Sequence, residues 1–250
     1  MAFGIGQPVT RKEDPRLLTG RGKYVADIDL PRQTQGVFIF SPHAHATIKS
    51  IDAAEALKQP GVLAVLTGKD YVADKLGPIM AEAMPEDFGG PKGYRSQHFP
   101  LAVDRVRYVG ERVAIVIAET EAQARDAADL VNIEYEELPV VVRALDAVKD
   151  GAAQVYAESP KNICFTLRMG NVDAVDPAFA KAAHVTKLEL FNNRLNAFTM
   201  EPRGCSAEYD AGTERYTVYS STQNPHGLRH GLSHLMHLPE SSIRLVAKDV

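Results

Sequence analysis

The sequence predicts a mixed α and β fold in two domains, and three observations support this prediction. Apolar runs of strand length alternate with one-sided helical patterns, and twice the order is strand, helix, strand. Two stretches rich in turn residues also divide the chain. The first, 77–100, is longer than most structureless connections and indicates a loop that contacts a partner or a site. The second, 138–161, indicates an interdomain crossing, so we predict domains at 1–145 and 146–250.

The first domain contains several apolar runs of strand length, at 36–41, 62–66, 112–118 and 132–135. Asp52 and Glu55 have the spacing of a capping box and predict a short helix that ends by residue 60. Thr120 and Gln123 have the same spacing. Small apolar residues then repeat at helical intervals, which predicts a helix with a narrow apolar face. The succession 112–135 therefore predicts a right-handed crossover between two parallel strands.

The second domain has strand-like runs at 184–191, 205–209, 215–220 and 243–247. Asp176 followed by Pro177, and Asn224 followed by Pro225, are typical of a helix N-cap with proline at the first helical position. The two predicted helices span 177–183 and 225–237. The succession 215–247 is a second strand, helix and strand unit.

Composition excludes several classes of function. The 28 basic and 32 acidic residues leave a net charge of −4, which argues against broad electrostatic binding to nucleic acid or to anionic membrane. The two cysteines, Cys164 and Cys205, form no CxxC pair, so a disulfide scaffold and a zinc or redox motif are not expected. No apolar run approaches the ~20 residues that span a bilayer, and no secretory signal is visible. We expect a cytoplasmic protein without a membrane span.

The polar turn 221–225 is the first candidate site, because it follows a predicted strand and begins a helix. In open α/β sheets ligands bind at this edge, where helix amides point outward. The side-chain amide of Gln223 would donate to an anionic or oxo group without adding charge. The alternative is turn chemistry alone, with Asn224 and Pro225 starting the helix, and spacing by itself favours this alternative.

A cluster of histidines is the second candidate. On an ideal helix they project from one face, and residues four apart can share a metal ion. They are His226, His230, His234 and His237. No carboxylate is spaced among them, and the first acid afterwards is Glu240. A polar or partner-facing stripe is therefore favoured over a metal site.

Two further groups suggest contacts rather than chemistry. His43 and His45 share one side of an extended segment, and we expect them at a polar edge or an interface. Glu201 and Arg203 lie in a predicted turn, and we expect a structural ion pair between them. Taken alone, the residues give no self-contained catalytic set.

Several motifs together resemble a known family. They lie at 4–6, 11–25, 41–46, 108–114, 132–139, 200–203 and 221–226. In this order they resemble the large, molybdenum-bearing subunit of molybdenum hydroxylases, the family of xanthine dehydrogenase, aldehyde oxidase and aerobic carbon monoxide dehydrogenase. The resemblance implies an α+β fold. An a/b hammerhead domain with an N-terminal arm would span 1–145, followed by the first part of an α/β molybdopterin-binding domain at 146–250.

The resemblance also implies a function and a cofactor. The complete enzyme would hydroxylate a carbon centre, in an aldehyde, an N-heterocycle or a similar compound, with water as the oxygen source. It would hold a molybdopterin-type molybdenum cofactor and pass electrons to [2Fe-2S] and FAD in partner subunits. Gln223 would be a cofactor-binding residue that donates to the apical oxo group of the molybdenum. No catalytic residue is expected in this chain.

Large subunits of this family run roughly three times longer than one ordinary 250-residue domain. A glycine-rich loop is expected after residue 250, and the glutamate general base still later. The expected partners are the remaining molybdenum-subunit chain or segment, an iron-sulfur subunit, an FAD subunit and a small-molecule substrate. The alternative function is a non-catalytic binding or assembly module that retains the hammerhead fold. A weaker one is a metalloprotein built on the His226 stripe.

Overall fold

The computed structural model describes residues 6, 8–79, 83–193, 195–199 and 201–249. The sequence features that lie outside the described residues are Gly4, Ile5, Met200, Val250 and residues 80–82 of the long loop. The chain divides into two compact units, one formed by residues 34–196 and the other by 1–33 together with 197–250. The domain boundary near residue 145 stays a prediction.

The strands are β1 (Gln35–Phe40), β2 (Ala46–Asp52), β3 (Val62–Thr67), β4 (Arg105–Val106), β5 (Arg112–Ala118), β6 (Asn132–Glu137), β7 (Cys205–Asp210), β8 (Arg215–Ser220) and β9 (Ile243–Val246). The α-helices are α1 (Asp14–Leu18), α2 (Gly68–Ala73), α3 (Glu121–Ala128), α4 (Ala144–Ala147), α5 (Val172–Lys181) and α6 (Pro225–Met236). Helix α6 has 12 residues, and no helix in the described ranges is long and apolar enough to cross a membrane.

In the 34–196 unit the described strands form two antiparallel sheets, ordered β1-β5-β3 and β4-β2-β6. Strand β5 is buried on both faces. Val113 joins one core cluster with Ala46, Ile48, Ala102 and Val106. Val116, on the other face, joins a second cluster with Ala56, Ala118, Ala124 and Ala127. Because neighbouring side chains of a strand point to opposite faces, one short strand supplies both cores.

The crossover predicted over 112–135 is wrong, although its elements are present. Strands β5 and β6 belong to different sheets, because β1 and β3 occupy the two edges of β5. Strand β6 instead pairs antiparallel with β2. No strand was predicted at the position of β2. Helix α3 carries the expected narrow apolar face, since Ala124 and Ala127 are completely buried.

The two predicted capping boxes of this unit have different outcomes. Thr120 caps α3, because its hydroxyl oxygen accepts a hydrogen bond from the backbone N–H of Gln123 at 3.3 Å. The box at Asp52 is wrong. Asp52 ends β2, and its carboxylate accepts from the backbone N–H of Ala54 at 2.9 Å, so only a short 3₁₀ turn at Ala56–Lys58 follows.

In the second unit β7, β8 and β9 form one sheet in that order. Strands β7 and β8 are antiparallel, whereas β8 and β9 are parallel and connected through α6. The predicted second strand, helix and strand unit is therefore confirmed. Asn224 caps α6 by accepting from the backbone N–H of Gly227 at 2.9 Å, and Pro225 is the first helical residue.

The stretch before β7 differs from its prediction. Helix α5 begins at Val172, so Asp176 and Pro177 lie inside it rather than at its start. The predicted strand at 184–191 is wrong, because no described strand pairs with this segment. Several of its large apolar side chains are strongly exposed: Leu188 (74%), Leu190 (81%) and Phe191 (84%). A strand needs a neighbour to pair its backbone groups, and the described residues supply none here.

Candidate cofactor site

The parallel pairing of β8 and β9 places their carboxyl ends at the same edge of the sheet. Strand β8 ends at the buried residue Ser220 and leads into the turn that holds Gln223. The side chain of Gln223 is exposed, and the described part of the chain offers it no hydrogen-bond partner. A neutral amide with free donors therefore lies at the edge where open sheets bind ligands.

The backbone on both sides of Gln223 is held in place. The backbone N–H of Gly204 donates to the hydroxyl of Ser221 at 3.2 Å, and the N–H of Ser221 donates back to the carbonyl of Gly204 at 3.4 Å. On the other side, the N–H of Asn224 donates to the hydroxyl of Thr222 at 3.1 Å. The turn is thus fixed by its neighbours while the Gln223 amide stays available.

The N-terminal arm, defined as residues 8–33, contacts the segment that precedes β7. The backbone N–H of Val25, a buried residue, donates to Oε1 of Glu201 at 2.8 Å. The second oxygen of that carboxylate is buried and has no hydrogen-bond partner in the part of the chain that the structure describes. The ion pair predicted between Glu201 and Arg203 is wrong, since no such pair exists among the described residues and the arm supplies the donor instead.

The arm also holds Asp249, which lies three residues after the end of β9. The guanidinium of Arg16 donates to both carboxylate oxygens of Asp249, and the backbone N–H of Lys23 adds a hydrogen bond at 2.6 Å. Hydrogen bonding to Arg16 is the main cause that lowers the pKa of Asp249 below its ordinary value. The negative charge at this edge is therefore already compensated. Sequence reasoning missed this pair, because its members are 233 positions apart.

The histidine stripe is only partly formed. His226, His230 and His234 are exposed residues of α6, whereas His237 follows the helix in a left-handed conformation with φ of 56° and leaves the helical face. Among the described residues no group of three His, Cys, Asp or Glu side chains can hold a metal ion. The partner-facing role stays a prediction.

Glu240, which the sequence placed beyond the stripe, folds back to it. Nδ1 of His230 lies 3.0 Å from one carboxylate oxygen of Glu240, and Nε of Arg229 donates to the other at 3.0 Å. Hydrogen bonding to His230 is the largest cause that lowers the pKa of Glu240. A 3₁₀ turn at Glu240–Ser242 makes this return possible.

The other two predicted histidines separate. His45 is buried rather than at a polar edge, because Nδ1 of its ring lies 3.0 Å from the carbonyl oxygen of Pro139. Its Nε2 is buried without a partner. His43 lies nearer the surface, with Nδ1 3.4 Å from a carboxylate oxygen of Glu137. Neither ring approaches a third donor that would complete a metal site in the described ranges.

Comparison with known proteins gives two family matches. Residues 19–139 match the a/b hammerhead domain of aldehyde oxidase and xanthine dehydrogenase, and residues 155–250 match the molybdopterin cofactor-binding domain. The chain is 40% identical over 246 residues to the nicotine 6-hydroxylase large subunit of Paenarthrobacter nicotinovorans, covering 98% of this chain and 29% of that protein. It is 35% identical to the carbon monoxide dehydrogenase large chain of Hydrogenophaga pseudoflava, covering 99% and 31%.

The chain is also similar to solved structures over nearly its whole length. Quinoline 2-oxidoreductase from Pseudomonas putida 86 superposes with a TM-score of 0.82 at 36% identity, covering 98% of this chain and 30% of that one. The Cu,Mo-CO dehydrogenase in its carbon monoxide reduced state superposes with a TM-score of 0.85 at 32% identity, covering 99% and 31%. The chain thus spans less than a third of the length of these relatives.

Proposed function

The chain belongs to the molybdenum hydroxylase family, and from this premise we propose that it is part of an oxidoreductase that hydroxylates a carbon centre with water as the oxygen source. The substrate class is an aldehyde, an N-heterocycle or a similar compound. The observation that carries the proposal is the exposed, unpartnered amide of Gln223. It lies at the carboxyl edge of a parallel strand pair, inside the stretch that matches the molybdopterin-binding domain.

The residues at this edge fit a molybdopterin-type molybdenum cofactor. Such a group carries oxo and phosphate oxygens, which need hydrogen-bond donors. Gln223 supplies a neutral donor, and the first turn of α6 presents its amino end at the same edge. Asp249, the nearby acid, is already paired with Arg16, so its charge does not oppose an anion. When bound, the cofactor supplies the two-electron oxidation chemistry of the reaction.

The part of this chain is to hold and orient that group. We propose that the Gln223 amide would hold the cofactor by donating a hydrogen bond to one of its oxo oxygens. The hydrogen bonds of Ser221 and Asn224 keep the turn rigid, which preorganises the donor. We assign no proton transfer and no catalytic residue to the described chain.

We further propose that the active enzyme needs partners besides this chain. The first is the remaining molybdenum-subunit chain or segment, because this chain spans less than a third of its relatives and exposes an apolar stretch at 185–191. The others are an iron-sulfur subunit and an FAD subunit that receive the electrons. The names of the relatives, which are subunits or chains of larger enzymes, support this assembly. A cytoplasmic location stays a prediction.

The decisive test replaces Gln223 in the assembled enzyme. Gln223→Ala should lower turnover by roughly one to three orders of magnitude, the range for a single preorganised donor. Gln223→Glu, which keeps the shape but removes the donor amide, should have a similar effect. Gln154→Ala changes an exposed glutamine and serves as the matched control.

Molybdenum content and the Mo(V) resonance should be measured beside turnover. We expect a changed Mo(V) spectrum in the two Gln223 variants and an unchanged one in the control. Unchanged turnover at full molybdenum loading would remove Gln223 from the site. A purified complex that is colourless and free of metal would instead favour the non-catalytic assembly module.

A further inference from the structure

The unit formed by residues 34–196 contains a cavity of about 480 Å³, a size typical of small-molecule sites. Its wall combines three parts of the sequence: residues between Tyr94 and Arg107, Glu111, and the pair Tyr156 and Glu158. The first part includes the end of the long 77–100 stretch, for which the sequence suggested a partner or a site. Nothing in the proposed cofactor site uses these residues.

Arg107 is the unusual member of this wall. Its side chain is half-buried, and its Nε is buried with no hydrogen-bond partner among the described residues. One terminal nitrogen donates only weakly, at 3.4 Å, to the carbonyl of Arg105. No carboxylate of the described residues forms an ion pair with it. Arg95, on the same wall, is by contrast bound by Glu86 and Asp87. A buried hydrogen-bond donor without a partner is destabilising, and a bound anion would accept a hydrogen bond from it.

The guanidinium of Arg107 is also held in one orientation. Its central carbon lies 4.4 Å from the ring centroid of Tyr156, so the two planes form a cation–π contact. The ring of Tyr94 lies 5.4 Å from that of Tyr156. The two rings are tilted against each other by 52° and provide an aromatic surface beside the charge.

Two of the three acidic residues on the wall, Glu111 and Glu158, make hydrogen bonds within it, and the third, Asp104, is exposed. One carboxylate oxygen of Glu111, a buried residue, accepts from the backbone N–H of Arg107 at 2.6 Å. The other lies 3.9 Å from Nδ1 of His98. Glu158 accepts from the hydroxyl of Tyr94 at 3.4 Å. The cavity combines a guanidinium that has no ion pair among the described residues with an aromatic side and an apolar side formed by Phe99, Leu101 and Ala102.

We propose that this cavity binds a small aromatic carboxylate, whose carboxylate pairs with Arg107 and whose ring lies against the tyrosine pair. The unpaired guanidinium favours the carboxylate, and the two tyrosine rings favour the aromatic part. The inference is independent of the molybdenum cofactor, because it rests on residues of the 34–196 unit alone.

Calorimetric titration of the 250-residue chain with benzoate and with benzamide tests this assignment. The two probes share a ring and differ in charge. Benzoate should bind saturably and benzamide about tenfold more weakly, the difference expected for one charge-assisted hydrogen-bonded pair. Arg107→Gln should abolish the preference. Arg203→Gln, at an exposed arginine without a described ion pair, should keep it.

A second measurement needs no variant. Phenylglyoxal modification of the unaltered chain, read by peptide mass spectrometry, should show that benzoate protects Arg107 and leaves Arg203 reactive. Equal binding of the two probes, or no protection, would overturn the proposal. So would binding that occurs in the isolated chain and disappears in the assembled enzyme, since another polypeptide would then supply the anion.

Discussion

Two regions of the chain carry the same succession of strand, helix and strand, and they fold differently. In 215–247 the two strands pair in parallel through α6. In 112–135 the strands enter separate sheets, although their helix is equally well marked in sequence. Both helices begin at a side-chain cap and both strands of each pair form where expected. The difference lies in the neighbours of the first strand.

Strand β5 receives both of its neighbours, β1 and β3, from earlier in the chain, so no edge is left for β6. Strand β8 receives only β7 from the residues before it, and its second edge accepts β9. Local pattern thus specifies the elements, whereas the pairing depends on which edges the preceding strands leave open. Burial follows the same division, since α3 has completely buried alanines and α6 has no buried residue.

The largest effect should come from a charge placed in the first region. Val116→Asp puts a carboxylate at a position with no solvent exposure in β5, and we expect more than about 4 kcal/mol of destabilisation, enough to unfold a typical domain of modest stability. Val218→Asp, at a half-buried position of β8, should cost clearly less. Urea unfolding followed by circular dichroism measures both. Equal losses of unfolding free energy in the two variants would contradict the expectation that the difference in burial sets the cost.

The helix caps should behave alike in the two regions, because capping is local. Thr120→Ala and Asn224→Ala each remove a side-chain acceptor for a backbone N–H, and each should destabilise by about 1 kcal/mol. Chemical denaturation of the two variants gives the values. A loss at only one of them would mean that the tertiary surroundings, rather than the cap, begin that helix.

The smallest effect concerns the loss of folding stability at acidic pH. Arg16 holds the pKa of Asp249 below its ordinary value of 3.8, so the folded state favours the ionised carboxylate. This contribution is complete above that pH and is lost as the pH falls through the lowered pKa. Asp249→Asn should therefore remove part of the acid sensitivity of the second region and leave the first unchanged. Hydrogen exchange of β9 and β5 amides, measured between pH 5 and the acid transition, separates the two.

Much of the fold was predictable, because many signals are local. The bounds of β5 agree with the predicted strand, and the caps at Thr120 and Asn224 lie where their spacing indicated. The turn that presents Gln223 follows from the same local chemistry. The capping box at Asp52 and the helix start at Pro177 failed although their signals are local. The other fold failures are the parallel pairing of β5, the missing strand at 184–191 and the unpredicted β2, whose apolar pattern is interrupted by Lys49 and Ser50. Each depends on distant partners.

Contacts between residues distant in sequence also limit what could be predicted about the sites. Arg16 and Asp249 meet across 233 positions, and Arg107 stacks on Tyr156 from another part of the 34–196 unit. Neither pair has a sequence spacing that indicates contact. An arginine without an ion-pair partner, such as Arg107, is recognisable only in the folded chain. The sequence gives the number of charged residues but does not show which of them lie close together.

The division of the second unit between residues 1–33 and 197–250 has a consequence for synthesis on the ribosome. Arg16 and Val25 emerge 233 and 176 residues before their partners Asp249 and Glu201. At the usual speed of translation the delay is roughly 10 to 45 s. The intervening residues can complete their own core during that time. The arm therefore stays solvated and accessible to chaperones until its partner residues have been synthesised.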